Sequence, residues 1–380
     1  MTGIAFVGTG FVADYYFTTL QNHPELKLAG AFDSAPDALK RFTSFYNVRA
    51  YGSLDEVLAD PNVGIVANLT TIESHHAVSQ AIIEAGKHLY SEKPLTLDYD
   101  DAASLLKLAR ERGVLVATAP ANALTPLHDE VARLIAGGAI GAPRLVYAEM
   151  EDGAVFREKW RDWRSKSGAP WPGEHEFVVG CTLEHAVYSL VWLVSLLGPA
   201  KSMTAFSSLC FPDKGTSGHE PLGPDFSVAM LNFHNGAVAR LTSGLCAPKD
   251  RSLIVMGDKG TITVDDLWNI NSPARIEHAG EKATLWQRAA GRIERRFGFA
   301  QGQIASRGQP IKARNATTPV VPAFPSQIDF AAGVAALARA IKGGPMPFMS
   351  GEMALHVTEI VLAISNAGPQ GGHVEFRTKP

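Results

Sequence analysis

The sequence has few cysteines and no long apolar run. Its three cysteines form no C-x-x-C pair and no Cys/His cluster with zinc-site spacing: Cys181, Cys210 and Cys246. No apolar segment approaches the roughly 20 residues that a membrane-spanning helix needs. The first residues lack the basic region and cleavable stretch of a signal peptide. We therefore expect a cytoplasmic protein with reduced thiols, no metal site and no membrane partner.

A large charge of one sign is also missing. The 35 Lys and Arg residues nearly balance the 38 Asp and Glu residues, which leaves a net charge of -3. This balance argues against nucleic acid as a partner. Hydrophobic residues make up 46% of the chain, which predicts a sizeable core. A length of 380 residues exceeds a typical single domain, so we expect two domains.

A glycine-rich turn near the N-terminus is the first candidate site. An apolar run leads directly into Gly8-Thr9-Gly10-Phe11-Val12-Ala13, and a helical pattern follows at residues 14–22. Gly8 would allow a tight turn and Gly10 a close approach of the backbone to phosphates, while Ala13 keeps the helix near the strand. The N–H groups at the helix start would then face the anion. The pattern predicts a dinucleotide site, and the alternative is an ordinary strand–turn–helix unit.

Asp33 ends the second apolar run, at residues 26–32. An acidic residue at this place binds the ribose hydroxyls of a dinucleotide, and its charge repels a 2′-phosphate. We therefore expect NAD rather than NADP. Lys40 and Arg41 stand in the next helix and weaken this expectation only slightly. The alternative is a solvated Asp33 without a ligand.

Strand and helix patterns alternate through residues 1–121. Residues 63–69 resemble a buried strand, and Leu69 and Thr70 at its end would lie at the carboxyl edge of a parallel sheet, where ligands bind. Helical patterns lie at residues 54–59, 75–85 and 99–112. This alternation predicts an α/β domain with a doubly wound parallel sheet at residues 1–121.

Residues 122–380 have a different pattern. After helical stretches at 127–136 and 182–197, short strands follow one another without intervening helices, and Asn235-Gly236 is typical of a hairpin turn. This predicts an α+β domain on a large, mostly antiparallel sheet. Two further helices are predicted at 328–341 and 351–365.

Over nearly its whole length the chain also resembles the Gfo/Idh/MocA oxidoreductase family. The resemblance rests on the glycine turn, on His75, and on the motifs Ala85-Gly86-Lys87-His88 and Ser91-Glu92-Lys93-Pro94. The family includes inositol, glucose and other polyol dehydrogenases and glucose–fructose oxidoreductase. It implies an N-terminal nucleotide domain and a C-terminal sheet domain that carries the substrate site and often mediates oligomerisation. We therefore expect a sugar or polyol substrate and a homodimer or homotetramer. Leu69, Thr70, His75 and Glu92 would lie beside the nucleotide.

Lys93 is the strongest catalytic candidate. It follows a sheet strand and precedes a proline that restricts the local backbone. Its ammonium group, beside a nicotinamide ring, would hydrogen-bond a substrate hydroxyl, and burial together with the positive ring would lower its pKa. The resemblance gives this lysine a role in acid/base catalysis or substrate orientation. The alternative is a surface lysine paired with Glu92.

A second motif covers residues 180–188. The family has Asp-x-Gly-x-His here, and Glu184, Ala186 and Tyr188 occupy those three places. Some members, among them glucose–fructose oxidoreductase, carry Tyr at the last place. Glu184 and Tyr188 would share one helix face, whereas His185 would point about 100° away. We therefore place Tyr188 ahead of His185 as the general base, with Glu184 orienting the sugar or tuning Lys93. The alternative is a helix start packed on the sheet, with Thr182 as its cap.

Three further residues are candidates for substrate contacts. Asn122 follows the last strand of the first domain and would bind substrate or nicotinamide, or else serve in a turn. Trp163, with Trp160 and Trp171, would stack on a sugar face, or pack in the core. Arg164 would bind substrate oxygens.

A basic segment at residues 286–316 breaks the strand pattern. Its cations stand among small residues: Arg288, Arg292, Arg295, Arg296, Arg307, Lys312 and Arg314. We interpret it as a mobile, solvated insertion. The alternative is a lid or a subunit contact that attracts an anionic group.

The sequence as a whole predicts an NAD(H)-dependent dehydrogenase that moves hydride between a secondary hydroxyl of a sugar, inositol or polyol and nicotinamide. Two alternatives stay open. One is a glycosidase or lyase that oxidises its substrate transiently and returns the hydride. The other is a ligand-sensing regulator that has kept the fold without the chemistry.

Overall fold

The first half of the chain builds a parallel sheet. The computed structural model describes residues 1–218, 220–281, 289, 293, 308–314, 319–323 and 326–380. The strands of the sheet are β1 (Thr2–Val7), β2 (Leu26–Phe32), β3 (Ile65–Asn68), β4 (His88–Ser91) and β5 (Val116–Thr118). Their order is β2-β1-β3-β4-β5, and all pairings are parallel. The predicted doubly wound α/β sheet is confirmed.

Helices alternate with these strands. They are α1 (Ala13–Leu20), α2 (Pro36–Tyr46), α3 (Leu54–Ala59), α4 (His75–Glu84) and α5 (Tyr99–Arg112). Ile4 and Phe6 belong to one buried cluster and Ala5 and Val7 to another, so β1 is covered on both faces. This explains why its sequence is continuously apolar rather than alternating.

The register of the sheet brings three loops together. Val7 of β1 stands beside Phe32 of β2 and Asn68 of β3, so the segments that follow these strands meet at one edge. Gly8 has φ +99°, and a Cβ there would lie 2.4 Å from the carbonyl oxygen of Leu69. Only glycine fits this close approach, because an L side chain rarely adopts that φ and would collide with the backbone.

The second half of the chain builds a larger sheet. Its strands are β6 (Pro143–Glu151), β7 (Ala200–Ser208), β8 (Phe226–Phe233), β9 (Val238–Gly244), β10 (Leu253–Gly257), β11 (Gly260–Val264), β12 (Ala274–His278), β13 (Gln309–Pro310) and β14 (Gly372–Glu375). Among the described residues the order is β13-β12-β11-β10-β6-β9-β8-β7-β14. Every pairing is antiparallel except that of β6 with β9. The expected mostly antiparallel sheet is confirmed, although the sequence did not predict strands β12, β13 and β14.

Five further α-helices of the described residues lie in the second half of the chain, between strands of the larger sheet or just before it. They are α6 (Pro126–Ala136), α7 (Gly173–Val179), α8 (Val187–Leu197), α9 (Ala331–Ile341) and α10 (Gly351–Ser365). A π-helical turn at Thr182–Ala186 runs directly into α8. The sequence predicted one regular helix at 182–197 and did not predict α7. The boundary predicted between residues 121 and 122 falls in the segment between β5 and α6.

No single helix among the described residues is long and apolar enough to cross a membrane. Only α7 together with residues 182–197 reaches that length, as a pair bent by 97°. Likewise, no three His, Cys, Asp or Glu side chains in the described ranges are grouped to hold a metal ion. Most of the basic segment at 286–316 lies outside the described residues. Of its cations, Arg314 forms an ion pair with Glu130 on α6, at 3.4 Å.

Asp14 fastens a loop of the second half onto the first. This carboxylate is 1% exposed, although it lies on α1. It accepts hydrogen bonds from the Ser165 hydroxyl, from the Ser167 hydroxyl and backbone N–H, and from the Tyr46 phenol, at 2.5 to 2.8 Å. The tryptophan-rich loop at 160–172 is therefore held against α1.

Replacing Asp14 by Ala should detach this loop. Four donors would lose their acceptor, and a buried unpaired donor costs about 1–3 kcal/mol. We expect a loss of about 3 kcal/mol or more in the free energy of unfolding, measured by urea denaturation, and faster proteolysis within 160–172. Asp37→Ala, at an exposed aspartate in the first turn of α2, is the matched control. Equal stability of the two variants would refute the anchoring role.

Candidate active site

A cavity of about 480 Å³ lies between the two halves of the chain. One wall is the carboxyl edge of the parallel sheet, with Gly10 after β1 and Lys93 after β4. The opposite wall includes Glu184 in the π-helical turn and Trp268 after β11. Neither half of the chain encloses the space alone.

An ion pair joins the two walls. The Lys93 Nζ atom lies 2.5 Å from Glu184 Oε2, and the two side chains are only 9% and 14% exposed. The alternative surface pair of Lys93 with Glu92 does not form. Glu92 instead accepts a hydrogen bond from the Tyr16 phenol at 2.6 Å and one from the Lys93 backbone N–H at 3.1 Å.

The carboxylates around Lys93 determine its charge. Burial alone would lower the pKa of its ammonium group, but Glu184, Glu176 and Glu92 raise that pKa above its ordinary value. Burial would conversely raise the pKa of Glu184, and Lys93 lowers it. The expectation of a lowered Lys93 pKa is therefore wrong for the protein alone, because it left out these acidic neighbours. Lys93 and Glu184 therefore form a buried pair of an ammonium group and a carboxylate.

The π-helical turn decides which side chains face the cavity. Its i→i+5 hydrogen bonding widens the helix, a feature often found at functional sites. Glu184, His185 and Tyr188 consequently all line the cavity. The prediction that His185 points away from Glu184 and Tyr188 is wrong, because it assumed the regular α-helical rotation per residue.

His185 forms a second buried ion pair beside the first. Its Nε2 atom lies 3.5 Å from Glu176 Oε2 on α7, and the two side chains are 7% and 14% exposed. Burial lowers the pKa of the imidazole, but Glu176 and, to a smaller extent, Asp152 raise it, and the net pKa lies above its ordinary value. The pKa of Glu176 is raised by its burial and by Glu184.

Tyr188 lies against Trp268, with the ring centroids 4.7 Å apart in an edge-to-face contact. Burial, followed by the charges of Glu92 and Glu184, raises the pKa of the phenol well above its ordinary value. Tyr188 is therefore a neutral phenol in the protein alone, suited to donating a hydrogen bond. It would act as a base only if a positive group nearby lowered that pKa.

The wall formed by the carboxyl edge of the parallel sheet has the features of a nucleotide site. Among the predicted cofactor residues, those that line it are Gly10, Phe11, Val12, Leu69, Thr70, His75, Glu92 and Lys93. A Cβ at Gly10 would meet no atom of the described residues within 4 Å, so the backbone there is open to the cavity. No described side chain caps the start of α1. The Tyr15 and Tyr16 N–H groups donate to the Val12 carbonyl, so the N–H groups of Ala13 and Asp14 are the ones that would face an anion. These residues fit a dinucleotide pyrophosphate.

Asp33, Thr9 and Gly8 lie behind this wall. The Thr9 backbone N–H and hydroxyl donate to Asp33 Oδ2 at 2.7 and 2.9 Å, and the Ala35 N–H donates to Oδ1 at 2.9 Å. A carboxylate has about four acceptor positions, so Asp33 keeps one for a ribose hydroxyl. Arg41 lines the cavity beside it and donates to the Thr9 carbonyl at 2.7 Å.

Two predicted substrate contacts lie elsewhere. Asn122 is buried outside the cavity lining, where its amide donates to the carbonyls of Tyr188 and Leu267 at 3.0 and 3.3 Å. Arg164 is exposed, and its guanidinium donates to the carbonyls of Arg161 and Trp163. Both predicted contacts with substrate are therefore corrected: Asn122 braces the backbone under Tyr188, and Arg164 stabilises its own loop. Trp163 does line the cavity.

Other lining residues were missed by the sequence interpretation. They are Asp152, Glu158, His175, Glu176, Lys249 and Trp268. The helix that carries Glu176 has no strong periodicity, and Trp268 stands in an irregular turn between strands. No local pattern of residues marks either position, so only the tertiary fold identifies them.

Comparison with known proteins places these observations in a family. A model described as an oxidoreductase family with an NAD-binding Rossmann fold matches residues 2–119. The GFO/IDH/MocA C-terminal domain matches residues 128–263. These matches confirm the resemblance inferred from the glycine turn and the Glu-Lys-Pro motif.

Relatives of known activity and structure cover most of the chain. UDP-N-acetylglucosamine 3-dehydrogenase of Acidithiobacillus ferrooxidans is 32% identical over 257 residues, which is 67% of this chain and 70% of that protein. Trans-1,2-dihydrobenzene-1,2-diol dehydrogenase of Mus musculus is 23% identical over 281 residues, or 73% and 77% of the two chains. Levoglucosan dehydrogenase, solved with NADH and levoglucosan, has a TM-score of 0.76 at 17% identity, with 99% of each chain covered. At that identity it establishes the shared fold.

Replacing Glu184 by Gln should destabilise the protein by about 3–5 kcal/mol at neutral pH, because the buried Lys93 ammonium would lose its partner. The folded-state pKa of Glu184 is lowered, so its contribution is present above the ordinary carboxyl pKa of about 4.3 and is lost as the pH falls through the folded pKa. The difference in unfolding free energy should therefore stay constant from about pH 8 to pH 5 and shrink below about pH 4.

Glu73→Gln is the matched control, because it breaks an ion pair between the same two halves that is exposed. Glu73 is 54% exposed and lies 2.8 Å from His175 Nε2. We expect a change below about 1 kcal/mol from it. Urea denaturation of both variants across the pH range measures these two changes in the free energy of unfolding. Equal losses would mean that Lys93–Glu184 behaves as a surface pair.

Proposed function

Because the chain belongs to the GFO/IDH/MocA oxidoreductase family, we propose that it is an NAD(H)-dependent dehydrogenase that transfers hydride between a secondary hydroxyl of a sugar, inositol or related polyol and nicotinamide. The observation that carries the proposal is the buried Lys93–Glu184 pair in a cavity that also contains the glycine turn. Oxidation of a carbinol releases a hydride and a proton, so one site must hold both a hydride acceptor and a proton acceptor. The names of the relatives, which act on sugars and a diol, support the substrate class.

Bound nicotinamide supplies the hydride acceptor or donor. The chain's own residues handle the proton. The raised pKa of Lys93 and the lowered pKa of Glu184 oppose proton transfer in the protein alone, so the oxidation needs a nearby positive nicotinamide, which would lower the pKa of Lys93. Lys93 then passes a proton to Glu184 at 2.5 Å, and the resulting amine accepts the proton of the substrate hydroxyl. In the reduction the same proton moves back, from Lys93 to the forming alkoxide. Tyr188, as a neutral phenol, donates a hydrogen bond to that oxygen and keeps it in line with Lys93.

The tryptophans form the apolar wall of the site. Trp163, Trp171 and Trp268 all line the cavity. Aromatic faces pack against the C–H face of a sugar or cyclitol ring. The loop that carries Trp163 and Trp171 is fastened to α1 through Asp14, so this wall is held beside the nucleotide turn.

NAD is the proposed cofactor. The remaining acceptor position of Asp33 suits a ribose hydroxyl, and its negative charge opposes a 2′-phosphate. Arg41 is engaged with the Thr9 carbonyl. One relative, the xylose dehydrogenase of Hypocrea jecorina, is named for NADP, so binding of both cofactors has to be compared directly.

A second copy of this chain is the proposed partner. Ser227, Ala229 and Leu231 of β8 are buried, so the alternate residues Phe226, Val228 and Met230 face the other side of the sheet. Met230 is 40% exposed. A row of partly exposed apolar side chains along a sheet strand is compatible with a subunit interface. With three free cysteines, the protein also suits the reducing cytoplasm, where we place it.

Lys93→Met should abolish most of the oxidation of sugars and inositols. The variant keeps the side-chain length and loses the proton-transfer group, so we expect kcat to fall by about 10²–10⁴-fold while the Kd for NADH stays within about threefold. NADH absorbance and product masses are recorded with NAD and a panel of sugars, inositols and glycosides. Lys249→Met, at an exposed lysine of the same cavity, should stay within a few-fold of the wild-type rate.

The other outcomes point to the alternative functions. Cleaved glycosides without net NADH would indicate transient oxidation with return of the hydride. Binding of a polyol with no turnover of either kind would indicate a sensor. Unchanged kcat in Lys93→Met would contradict the proposed role of this lysine.

Val228→Glu combined with Met230→Glu should separate the proposed subunits. Two carboxylates on an apolar interface would be desolvated without partners, which disfavours association. Light scattering after size exclusion should show the wild type as a dimer or tetramer and the variant as a monomer. Met346→Glu, at a 48% exposed methionine outside the sheet, should leave the assembly intact. A monomeric wild type would refute the proposed subunit interface.

A further inference from the structure

Asn122 is a buried residue at the junction of the two halves of the chain. It follows β5 and is only 2% exposed. Its side-chain amide donates to the carbonyl oxygen of Tyr188 at 3.0 Å and to that of Leu267 at 3.3 Å. Its own carbonyl oxygen accepts a hydrogen bond from the Trp192 indole N–H at 3.2 Å. One residue therefore holds two segments of the second half that are distant from each other in sequence.

Both of these segments lead into the wall of the cavity. Tyr188 lines the cavity, and so does Trp268, which follows Leu267 in the chain. The ring centroids of Tyr188 and Trp268 lie 4.7 Å apart, edge to face. The two N–H groups of an amide lie in one plane, so the two hydrogen bonds fix the backbones of both segments relative to each other. The contact between the two rings rests on this arrangement.

Asn122 is also connected to the strand that precedes Lys93. The Ala119 backbone N–H donates to the carbonyl oxygen of Ser91 at 2.9 Å, so the chain after β5 continues beside β4. Ser91 is the last residue of β4, and Lys93 follows it closely. Only two residues separate Ala119 from Asn122. A short series of covalent and hydrogen bonds thus links Lys93 to Asn122 and, through its amide, to Tyr188.

Packing alone does not explain an amide at this place. The Oδ1 atom of Asn122 is buried and has no hydrogen-bond partner among the described residues. Such an unpaired buried atom costs free energy. A leucine has a similar volume and would fill the same space without that cost. The two N–H groups that hold the carbonyls are what a leucine could not supply.

We propose that Asn122 is a positioning residue, which sets the place of the Tyr188 phenol relative to Lys93, directly and through the Trp268 ring packed against it. Asn122 does not line the cavity and acts through the two backbones that it holds. This inference rests on the proposed function for the role of Tyr188 at the substrate oxygen. A misplacement of about 1 Å at a reaction centre can lower the rate about 100-fold. Loss of the two N–H groups should therefore slow the reaction without weakening cofactor binding.

Asn122→Leu, alone and combined with Tyr188→Phe, tests this role. With the polyol of the panel that is oxidised fastest, kcat of Asn122→Leu should fall about 10–100-fold, while the Kd for NADH stays within about threefold. A residue that acts through the phenol loses its effect when the phenol is absent. The double variant should therefore have a kcat within about threefold of that of Tyr188→Phe. An unchanged kcat in Asn122→Leu, or two losses that multiply in the double variant, would overturn the proposal.

Near-ultraviolet circular dichroism gives a readout that does not depend on turnover. The band of Trp268 is the difference between the spectra of the wild type and of Trp268→Phe. Asn122→Leu should lose most of this band, because the indole no longer has a fixed aromatic neighbour. A band of full size would also overturn the proposal. If the band is lost and the wild type oxidises no polyol with NAD, the positioning of the two rings stands and the proposed dehydrogenase function fails.

Ser189→Ala is the matched control. Ser189 is the chain neighbour of Tyr188 and is fully buried, and its hydroxyl donates to the Glu149 carbonyl oxygen at 3.3 Å. This hydrogen bond lies within the second half, so kcat and the Trp268 band should both stay close to those of the wild type. An equal loss in Ser189→Ala would contradict a specific role of Asn122. Thermal unfolding verifies that the variants are folded, and Asn122→Ala replaces Asn122→Leu if the leucine variant does not fold.

Discussion

The ion pair between Lys93 and Glu184 is the constraint on which the rest of the site depends. Lys93 follows β4 in the first half of the chain, and Glu184 lies in the π-helical turn of the second. Both groups are almost fully enclosed, and each would be an isolated buried charge without the other. The two halves must therefore meet in one register for the pair to form. Because the same meeting encloses the cavity, the contact that joins Lys93 to Glu184 links the packing of the two halves to the chemistry of the site.

Charge balance explains why a second pair stands beside the first. Lys93 lies against Glu184, and His185 lies against Glu176. Burial works against the charged form of all four groups, and the partners offset it for Lys93, Glu184 and His185, whose pKa values shift toward the charged form. Burial and Glu184 dominate at Glu176, so its pKa stays above its ordinary value. The raised pKa of Lys93 favours its ammonium form at rest, which suits donation to a carbonyl. Oxidation needs a nearby positive charge to release the Lys93 proton, and a nicotinamide cation would provide it.

Features that depend on neighbouring residues in the sequence could be predicted, and features that depend on distant contacts could not. The glycine turn, the alternation of strands and helices and the position of Lys93 all follow from local spacing. Strands β12, β13 and β14 were missed because their pairing is decided by the rest of the sheet. The orientation of His185 was predicted wrongly because the π-helical turn leaves no periodic signal. Glu176 and Trp268 have no motif, and only the folding of α7 and of the turn after β11 brings them to Lys93.

Helix α9 packs across the domain boundary that the sequence predicts between residues 121 and 122. It comes from the second half of the chain, yet it packs against α1 and against strands of the parallel sheet. Its residues are small, and a Cβ at Gly333 would lie 2.2 Å from the Tyr90 phenol oxygen, so the helix sits directly on β4. The backbone N–H of Ala331, at its first turn, donates to the Thr19 hydroxyl of α1 at 3.0 Å. Residues 1–121 alone would expose Tyr90 and the sheet face that α9 covers. The nucleotide half is therefore completed by a segment that follows the larger sheet, and this ties the glycine turn, the Lys93 strand and the substrate wall into one cooperative unit.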